Sequence, residues 1–354
     1  MGDRGTGSEG ERGAQPQPQK PTMSDVAKAA GVSLSSVSRV FLGQKKVSQA
    51  TRRKVLAVAE DIGYVPNPFG HRRGQKDDRT IGLLLRDADN PAYGALFSSL
   101  HHVAQKRGWE LATMTVNTGK QDDYQVELLH QLLGMKVAGL IVATGDLPSS
   151  ALEPFMLRVP ILRICTPEPD RLVHAVSYDS AAAGAELARL VLEAGHTRIA
   201  VVRTCSDISL PEWTNATSAI GTIREAGLEP FIVDVRNDAG ADYILPLVQS
   251  GAVSVVMCPS DRRQVGFIEL FEKSGLSVPG DVSVTGCDGL LPGSEVMGLT
   301  TYRWPVERVA ETALSQIIDI IGRFGTPNNR LSPVSITIGG ELIPGRTLAQ
   351  VAGE

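Results

Sequence analysis

The sequence predicts a small all-α head followed by a larger α/β core of two lobes, each built on a doubly wound parallel sheet. Residues 22–64 contain three short stretches whose apolar residues recur at helical spacing. From residue 80 onward, short apolar runs alternate with helical stretches in two successive sets. The length of 354 residues and the hydrophobic content of 42% are sufficient for about two or three globular units.

The first predicted helix of the head begins after Thr22 and ends before Gly31. Thr22 and Asp25 have the spacing of a capping box, in which each side chain binds the backbone of the other residue. Gly31 suits the left-handed conformation that ends a helix. The apolar stripe of this helix consists of Val26, Ala27 and Ala30.

Ser33 is positioned to cap a second helix, whose inward face would consist of Val37, Val40 and Phe41. The opposite face carries small hydroxyl groups, one leucine and one arginine, a combination that suits the reading of a DNA groove. The members of this outward face are Leu34, Ser35, Ser36, Ser38 and Arg39.

Ser48 is positioned to cap a third helix, in which Val55, Val58 and Ile62 complete the core and Gly63 ends the run. Helices this short are not stable in isolation, so they must pack together. Three packed helices with a tight turn between the first two form a helix-turn-helix. The sequence therefore predicts a DNA-binding head.

The charge distribution supports a DNA-binding head. Residues 20–76 contain 11 Lys and Arg against three acidic residues, a net charge of +8. Residues 77–354 contain 22 basic and 33 acidic residues, a net charge of −11. A basic head favours phosphate binding, whereas an acidic body is repelled from DNA.

Eight apolar runs predict the strands of the core. Those of the first lobe are 81–85, 110–116, 139–143 and 160–164, with helices around 92–107 and 122–134. Those of the second lobe are 198–202, 231–235, 253–257 and 282–286, with helices near 180–194, 216–226, 240–250 and 262–274. Ligands of doubly wound folds bind at the carboxyl ends of the strands, so the crevice between the lobes is the predicted ligand site.

Several features narrow the functional class. The four cysteines (Cys165, Cys205, Cys258 and Cys287) show no C-x-x-C spacing, so we expect reduced, buried thiols and no metal or other cofactor.

No apolar stretch reaches the roughly 18 residues of a membrane helix, and the N-terminus lacks a signal-peptide core, which predicts a cytoplasmic protein without a membrane partner. The six histidines are scattered, and the absence of H-E-x-x-H, G-x-S-x-G and P-loop motifs argues against an enzyme.

The sequence resembles the LacI/GalR (lactose and galactose repressor) family of transcriptional regulators over residues 22–346. The landmarks occur in the family's order: DVAKAAGVSLSSVSRV, VSQATRRKV, IGYVPN, VSYDSAAAGAELARLVLEAGHTRIAVV, VPGDVSVTGCD and LTTYRWP. The resemblance implies a homodimer that places two heads on a pseudo-palindromic operator in double-stranded DNA. It also implies a periplasmic-binding-protein-like core that senses a small molecule, with repression as the expected activity.

Four segments follow from this interpretation. Residues 1–21 form a disordered tail, 22–66 the helix-turn-helix domain, 67–79 a hinge, and 80–350 the effector-binding and dimerisation core. The first lobe takes about 80–177 and 304–330, and the second takes about 178–303 and 331–350. The chain ends soon after GRTLAQV without a leucine heptad, so a dimer is expected rather than a tetramer held by a C-terminal coiled coil.

The resemblance also assigns DNA contacts. Leu34, Ser35 and Arg39 match positions that contact base edges in the major groove, where an arginine can bind the O6 and N7 atoms of guanine together. Hydroxyl residues match positions on the phosphate backbone, and nearby basic residues add charge. These are Ser33, Ser36, Ser38 and Thr51, with Lys45, Lys46, Arg52 and Arg53. For residues 52–54, a solvated surface without function is the open alternative.

The hinge departs from the family pattern. Relatives follow PN with a short helix whose leucine wedges into the minor groove, but PNPFGHRRG places Arg73 at that position and Gly70 at a usual alanine. We assign Arg72 and Arg73 to the minor groove and hypothesise that Arg73 enters a narrow groove electrostatically, which favours an A·T-rich operator centre. The alternative is a disordered hinge that contributes charge only.

The ligand site departs from the family as well. The matched positions are Asn90 and Tyr93 after the first strand, and Asp179, Asp261 and Asp288, which line or border the crevice in relatives. The arginine that relatives place after the fifth strand aligns with Asn215, and Trp213 is expected to fill the vacated space or to stack on a sugar. The loss of a bidentate cation argues against an anionic effector, so a neutral ligand such as a sugar is expected. The alternative role of Asp179 and Asp288 is to cap turns.

Two alternative functions fit parts of the sequence. The loss of the arginine at Asn215 also fits a regulator of the same fold that has lost effector sensing. A solute-binding protein shares the two-lobed core, but it has no use for a basic helix-turn-helix head.

We predict that Arg73→Leu shifts the preferred operator centre from A·T-rich steps to the CpG step that many relatives prefer, because leucine restores the apolar wedge. In vitro selection of bound DNA from a random library at physiological salt measures this preference. An unchanged central step would contradict the electrostatic role of Arg73.

Overall fold

The computed structural model describes residues 21–41, 47–64, 79–86, 90–116, 122–168, 170–236, 240–325 and 332–351. The chain forms two compact units, Met1–Asp77 and Asp78–Glu354. The first contains the predicted head and the second the predicted core. Each is considered by itself.

The head consists of three helices: α1 (Met23–Ala30), α2 (Leu34–Phe41) and α3 (Gln49–Asp61). The predicted capping box is present, because the Thr22 N–H donates to Asp25 Oδ2 at 2.8 Å and the Asp25 N–H donates to Thr22 Oγ1 at 3.4 Å. Gly31 ends α1 with a left-handed φ of 60°. The side chains of Ser33 and Ser48 accept from the N–H groups three residues on, at 3.2 and 3.1 Å, so both predicted caps are confirmed.

The core of the head largely matches the predicted apolar positions. Val37, Val40 and Val55 are buried, and Phe41 stacks obliquely on Tyr64 with 5.5 Å between ring centroids. On α3, Ala59 is buried and Val58 is only partly buried, as is Ile62 just after the helix. The buried members of this cluster are Val26, Ala27, Ala30, Val37, Val40, Val55 and Ala59.

A six-stranded parallel sheet forms the first lobe of the core, in the order β11-β5-β4-β3-β1-β2. Its strands are β1 (Thr80–Arg86), β2 (Glu110–Val116), β3 (Gly139–Ala143), β4 (Ile161–Ile164), β5 (His174–Tyr178) and β11 (Ser335–Ile338). Its helices are α4 (Pro91–Lys106), α5 (Asp122–Gly134), α6 (Glu153–Met156) and α12 (Val306–Arg323), and a 3₁₀ turn spans Ser149–Leu152.

A four-stranded parallel sheet forms the second lobe, in the order β7-β6-β8-β9. Its strands are β6 (Ile199–Thr204), β7 (Phe231–Val235), β8 (Val255–Met257) and β9 (Ser283–Thr285). The helices are α7 (Ser180–Glu193), α8 (Leu210–Glu225), α9 (Ala241–Gln249), α10 (Asp261–Lys273) and α11 (Ser294–Met297). A separate antiparallel pair consists of β10 (Thr301–Arg303) and β12 (Glu341–Ile343).

All eight predicted strands are present, but the lobe boundary needs a correction. The sequence interpretation assigned residues 331–350 to the second lobe, whereas β11 pairs in parallel with β5 in the first sheet. The strand was missed because SITI is short and three of its four residues are at least partly exposed, so it lacks the continuous apolar run of a central strand. Residues on β11 therefore belong to the first lobe.

A close helix contact stabilises the second lobe. Gly184 of α7 lies against the backbone of α8, so that a Cβ built on Gly184 would be 2.0 Å from the carbonyl oxygen of Asn215. Such a contact requires that α7 and α8 move apart. A Cβ built on Gly221 of α8 would have no atom within 4 Å outside its own stretch of the helix.

We predict that Gly184→Ala lowers the free energy of unfolding by roughly 1–3 kcal/mol or more, because the methyl group overpacks the α7–α8 contact. The matched control Gly221→Ala should raise it by about 0.5–1 kcal/mol, since alanine loses less backbone entropy in a helix. Urea unfolding measures both. Equal effects of the two substitutions would show that the close contact is not present in solution.

Candidate DNA-binding surface and ligand cleft

The outward face of α2 is exposed as predicted. Half of the Leu34 surface is accessible, Ser35 and Arg39 are exposed, and Ser36 and Ser38 are partly buried. Ser33 Oγ lies 2.9 Å from Ser35 Oγ and 2.9 Å from Ser36 Oγ. Small hydroxyl groups are therefore concentrated at the first turn of α2, where N–H groups without a helical partner favour anions.

The basic residues of the head differ in what they contact. Within the described residues, the guanidinium of the exposed Arg39 has no hydrogen-bond or ion-pair partner. Arg52 is instead half-buried, and its Nη1 donates to the Val40 carbonyl at the end of α2, at 3.4 Å. The Thr51 hydroxyl lies 2.8 Å from Ser48 Oγ. Arg52 and Thr51 thus have structural contacts as well as the predicted contacts to phosphate.

Four predicted DNA contacts lie outside the described residues. They are Lys45, Lys46, Arg72 and Arg73. Their assignments stay predictions.

A cleft lies at the carboxyl ends of strands from both sheets. Six lining residues come from the chain between residues 90 and 178: Asn90, Ala92, Tyr93, Leu96, Cys165 and Tyr178. Six more come from the chain between residues 209 and 304: Ser209, Pro211, Glu212, Pro259, Asp288 and Trp304. The position at the strand ends is the one expected for ligand binding in a doubly wound fold.

Asn90 and Tyr93, both predicted, enter the cleft from the start of α4. Asn90 Oδ1 accepts from the Ala92 N–H at 3.0 Å, so this side chain also caps the helix. Burial raises the pKa of the Tyr93 phenol above its usual range, which keeps the hydroxyl protonated and able to donate. An amide and a phenol at this position suit hydroxyl groups of a ligand.

Asp288 is the predicted carboxyl group that lines the cleft. Its backbone has a φ of 117°, which an aspartate rarely adopts. Hydrogen bonds hold this conformation, because its N–H donates to the Tyr302 carbonyl at 3.0 Å and its carbonyl accepts from the Trp304 N–H at 2.9 Å. Its Oδ1 also accepts from Trp304 Nε1 at 3.0 Å. Burial and the nearby carboxyl groups of Asp261 and Glu212 raise the pKa of Asp288 well above its ordinary value.

Glu212 is a second carboxyl group of the cleft, and the sequence interpretation missed it. Its Oε2 accepts from the Thr204 hydroxyl at 2.5 Å. Burial raises the pKa of Glu212, and the Thr204 hydrogen bond and the guanidinium groups of Arg263 and Arg86 act in the opposite direction. The clue in the sequence was its place in SLPEW, three residues after Ser209, where the Ser209 hydroxyl accepts from the Glu212 N–H at 3.5 Å as helix α8 begins.

Aromatic rings form one wall of the cleft. Tyr178 and Trp304 stack with their centroids 4.8 Å apart and an interplanar angle of 19°, and Tyr302 meets Trp304 edge-on with 5.4 Å between centroids. Cys165 lies beside Tyr178, and burial raises the pKa of its thiol to about 12. The thiol is therefore an inert, neutral part of the wall, as expected for the cysteines. All four are free, and all but the half-buried Cys205 are buried.

Four predicted ligand residues do not line the cleft. Asp179 caps α7, since its Oδ1 accepts from the Ala182 N–H at 2.9 Å, which is the alternative role given for it. Asn215 is buried and donates to Cys287 Sγ at 3.5 Å. Trp213 lies half-buried on α8 outside the lining. Asp261 is almost fully buried, where Gly289 N–H and Thr301 Oγ1 donate to its two carboxyl oxygens at 2.9 and 2.5 Å.

A buried ion pair organises the loops beside the cleft, and the sequence interpretation missed it as well. Arg163 Nε donates to Glu168 Oε2 at 2.8 Å, and both side chains are nearly inaccessible. The same guanidinium donates to the Leu147 carbonyl at 3.0 Å, and Ser149 Oγ donates to Glu168 at 2.7 Å. The network therefore fixes the loops that follow β3 and β4.

The described part of the chain contains no group of three or more His, Cys, Asp or Glu residues arranged to hold a metal ion. In the same part of the chain, no helix has both the length and the apolar character required to cross a membrane.

Comparison with known proteins matches both units of the chain. The family described as "Bacterial regulatory proteins, lacI family" matches residues 22–67, and the "Periplasmic binding protein-like domain" matches residues 188–348. The HTH-type transcriptional regulator DegA of Bacillus subtilis is 30% identical over 301 residues, which cover 82% of this chain and 88% of DegA. These matches confirm the predicted fold class of both units.

Solved structures show the same fold. The Lac repressor dimer bound to operator and the anti-inducer ONPF aligns with a TM-score of 0.73 at 20% identity, over 94% of this chain and all of that chain. A complex of the transcriptional regulator CelR with cellobiose aligns with a TM-score of 0.64 at 25% identity, over 92% of this chain and 99% of that chain.

We predict that Asp261→Asn removes a pH dependence of stability. Burial raises the pKa of Asp261 from 3.8 to about 6 in the folded protein. The folded state therefore binds more protons than the unfolded state between these values, and this carboxyl group lowers the free energy of unfolding as the pH rises. Relative to the wild type, the variant should gain up to about 3 kcal/mol between pH 4 and pH 7.

Urea unfolding at several pH values measures this difference. Asp242→Asn, at an exposed position of α9, controls for the loss of one carboxyl group from the protein. A difference between Asp261→Asn and the wild type that is the same at pH 4 and pH 7 would contradict the shifted titration of Asp261.

Proposed function

This chain belongs to the lacI family of bacterial regulatory proteins and is therefore a DNA-binding transcriptional regulator, and from this we propose that it is a repressor. We propose that it binds a pseudo-palindromic operator as a homodimer and responds to a small, neutral ligand such as a sugar. The observation that carries the proposal is the exposed face of α2 on a folded three-helix head.

Recognition of the operator would reside on α2. An exposed arginine can present its planar guanidinium to the O6 and N7 atoms of a guanine, and Arg39 is exposed and has no partner among the described residues. Leu34 and Ser35 lie on the same exposed face and would contact neighbouring base edges. Ser33, Ser36, Ser38, Thr51 and Arg52 would contact phosphate groups, together with Lys45 and Lys46. Arg72 and Arg73 would enter the minor groove.

A dimer would present two heads to the two half-sites of a palindrome. Two-fold symmetry of a protein is matched by two-fold symmetry of its operator, because each head must meet the same bases in the same orientation. The Lac repressor was solved as a dimer on operator DNA, and this chain covers that structure along its whole length. We propose that the helix-turn-helix domain takes residues 22–66 and that the effector-binding and dimerisation core takes residues 80–350.

The proposed ligand is a small sugar without a negative charge. The cleft combines stacked aromatic rings with an amide, a phenol and the carboxyl groups of Glu212 and Asp288. Aromatic rings bind the apolar face of a sugar, and carboxyl oxygens accept from its hydroxyl groups. Anionic ligands are disfavoured, because the site is desolvated and the described lining residues include no Lys, Arg or His to pair with a negative charge. CelR, a relative in fold, was solved with cellobiose.

Regulation would follow from a change in the equilibrium between two arrangements of the lobes. A ligand that contacts both lobes favours the closed arrangement, and it can change operator affinity only through its different affinity for the two arrangements. Couplings of this kind are typically about 1–3 kcal/mol, which corresponds to roughly 5- to 150-fold in affinity.

The relatives are regulators, and we propose that this protein likewise catalyses no reaction and acts in the cytoplasm, where the chromosomal DNA is. A regulator of the same fold that has lost effector sensing is the second candidate. The observation that favours this candidate is the neutral Asn215 where relatives have an arginine, since Asn215 is bonded to Cys287 away from the cleft lining.

We predict that Arg39→Ala weakens binding to the selected operator by about 1–3 kcal/mol and relaxes the preference at one base pair of each half-site. Selection of DNA from a random library with the full-length protein identifies the operator, and titration then measures affinity at several salt concentrations. Arg53→Ala is the matched control: this exposed arginine of α3 should weaken binding evenly across sequences and reduce the salt slope by about one.

Ligand sensing is tested in the same assay. Addition of a neutral sugar from a panel that includes cellobiose should change operator affinity in the wild type, whereas a sugar phosphate should not. A response to the phosphate alone would overturn the proposed ligand class. A response to no sugar at all would favour the second candidate, and a wild type that selects no palindrome would overturn the proposed operator binding.

A further inference from the structure

Arg86 connects the two lobes beside the cleft. It ends β1, a strand otherwise composed of TIGLLL, and only 7% of its surface is exposed. Its Nη1 donates to the carbonyl of Ile208, which lies in the loop between β6 and α8. A charged donor of the first lobe is thus bonded to the backbone of the second lobe.

The surroundings of Arg86 come from three segments. Gly145, after β3, is so close that a Cβ built on it would lie 3.6 Å from Arg86 Nη1. Tyr93 of α4 lies within electrostatic range of the guanidinium, which opposes the rise in the phenol pKa that burial causes. A buried guanidinium is costly unless it is hydrogen-bonded and near a negative charge. Ile208 supplies the hydrogen bond.

Glu212 supplies the negative charge from the second lobe. The guanidinium groups of Arg263 and Arg86 both oppose the rise in the pKa of Glu212. Arg263 lies in the first turn of α10, in the same lobe as Glu212. Arg86 lies on a strand of the other lobe. Asp288 supplies the other carboxyl group of the cleft. Its pKa is raised by burial and by the nearby carboxyl groups of Asp261 and Glu212. Arg86 is therefore a cation of the first lobe that acts on Glu212 across the cleft, with a smaller effect than Arg263. Its place beside this segment is also geometric, because a Cβ built on Gly145 would lie near both Arg86 Nη1 and Pro211 Cδ, at 3.6 and 3.8 Å.

We propose that Arg86 is a positioning and specificity-determining residue: it holds the lobes together without a ligand, and it balances the charge of Glu212 so that the cleft selects an uncharged ligand. The inference deepens the proposed ligand sensing and rests on it. The bond to Ile208 must break when the lobes separate. A hydrogen bond from a charged donor is worth roughly 10- to 100-fold in such an equilibrium.

The first test measures closure in the full-length, ligand-free protein. Small-angle scattering should give a larger radius of gyration for Arg86→Met than for the wild type, and Arg86→Lys should restore part of the difference because it keeps a cationic donor. Arg158→Met, at an exposed position of the same lobe, is the matched control and should match the wild type. Equal radii for Arg86→Met and Arg158→Met would overturn the role in closure.

The second test measures selectivity by calorimetry with matched pairs of sugars, glucose with glucosamine and galactose with galactosamine. In Arg86→Met, the ratio of amine to neutral affinity should rise by about tenfold, the equivalent of one pKa unit of altered interaction. The rise should vanish when Glu212→Gln is also present, because the charge that Arg86 balances has then been removed.

An unchanged ratio in Arg86→Met overturns the role in selectivity, and so does a rise of equal size in the Glu212→Gln background. The role in selectivity is also overturned if no sugar of the panel binds the wild type or Arg86→Met. Operator selection with the wild type remains the separate test of the proposed regulator, so failure of Arg86 and failure of DNA binding are distinguishable.

Discussion

Burial of the parallel strands on both faces is the constraint on which the core depends. Every residue of β1 and of β3 is buried, so helices must cover both sides of the sheet. One apolar cluster joins the lobes, from Leu83 on β1 through Val201 on β6 to Ile317 on α12. With the faces of the sheets covered, the carboxyl ends of the strands are where polar side chains can meet a ligand. The cleft occupies this position.

The polar groups at that edge are largely desolvated and must be satisfied within the protein. Arg163 is held by Glu168 and two backbone carbonyls. Asp261 accepts from Gly289 and Thr301, and one oxygen of Asp288 accepts from Trp304. These bonds fix the rim of the cleft before any ligand arrives, and Arg86 adds a bond between the lobes. A ligand would therefore meet a largely preorganised site.

Elements with strong local signals were predicted well. The three helices of the head followed from caps and apolar spacing, because Thr22, Ser33 and Ser48 act within a few residues of their own position. Eight strands followed from apolar runs. The central strand β5 was not predicted. Strand β11 was not predicted either, since pairing with β5 depends on a contact across more than 150 residues of sequence and leaves no apolar run. Of the predicted ligand residues, Asn90, Tyr93 and Asp288 reach the cleft.

The sequence by itself determined the class of each unit, the exposed face of α2 and the edge of the core where a ligand would bind, because periodicity, capping and strand direction are local or apply to any sheet of this kind. Only the tertiary structure decided which polar side chains remain available to a ligand. Asp179 and Asp261 have the chemistry of ligand contacts, yet helix capping and buried hydrogen bonds engage them. Ser209, three residues before Glu212, marks only the start of a helix, and the roles of Glu212 and Arg86 arise from partners on other elements of the fold. Burial and partner choice are long-range properties, and no local spacing of residues encodes them.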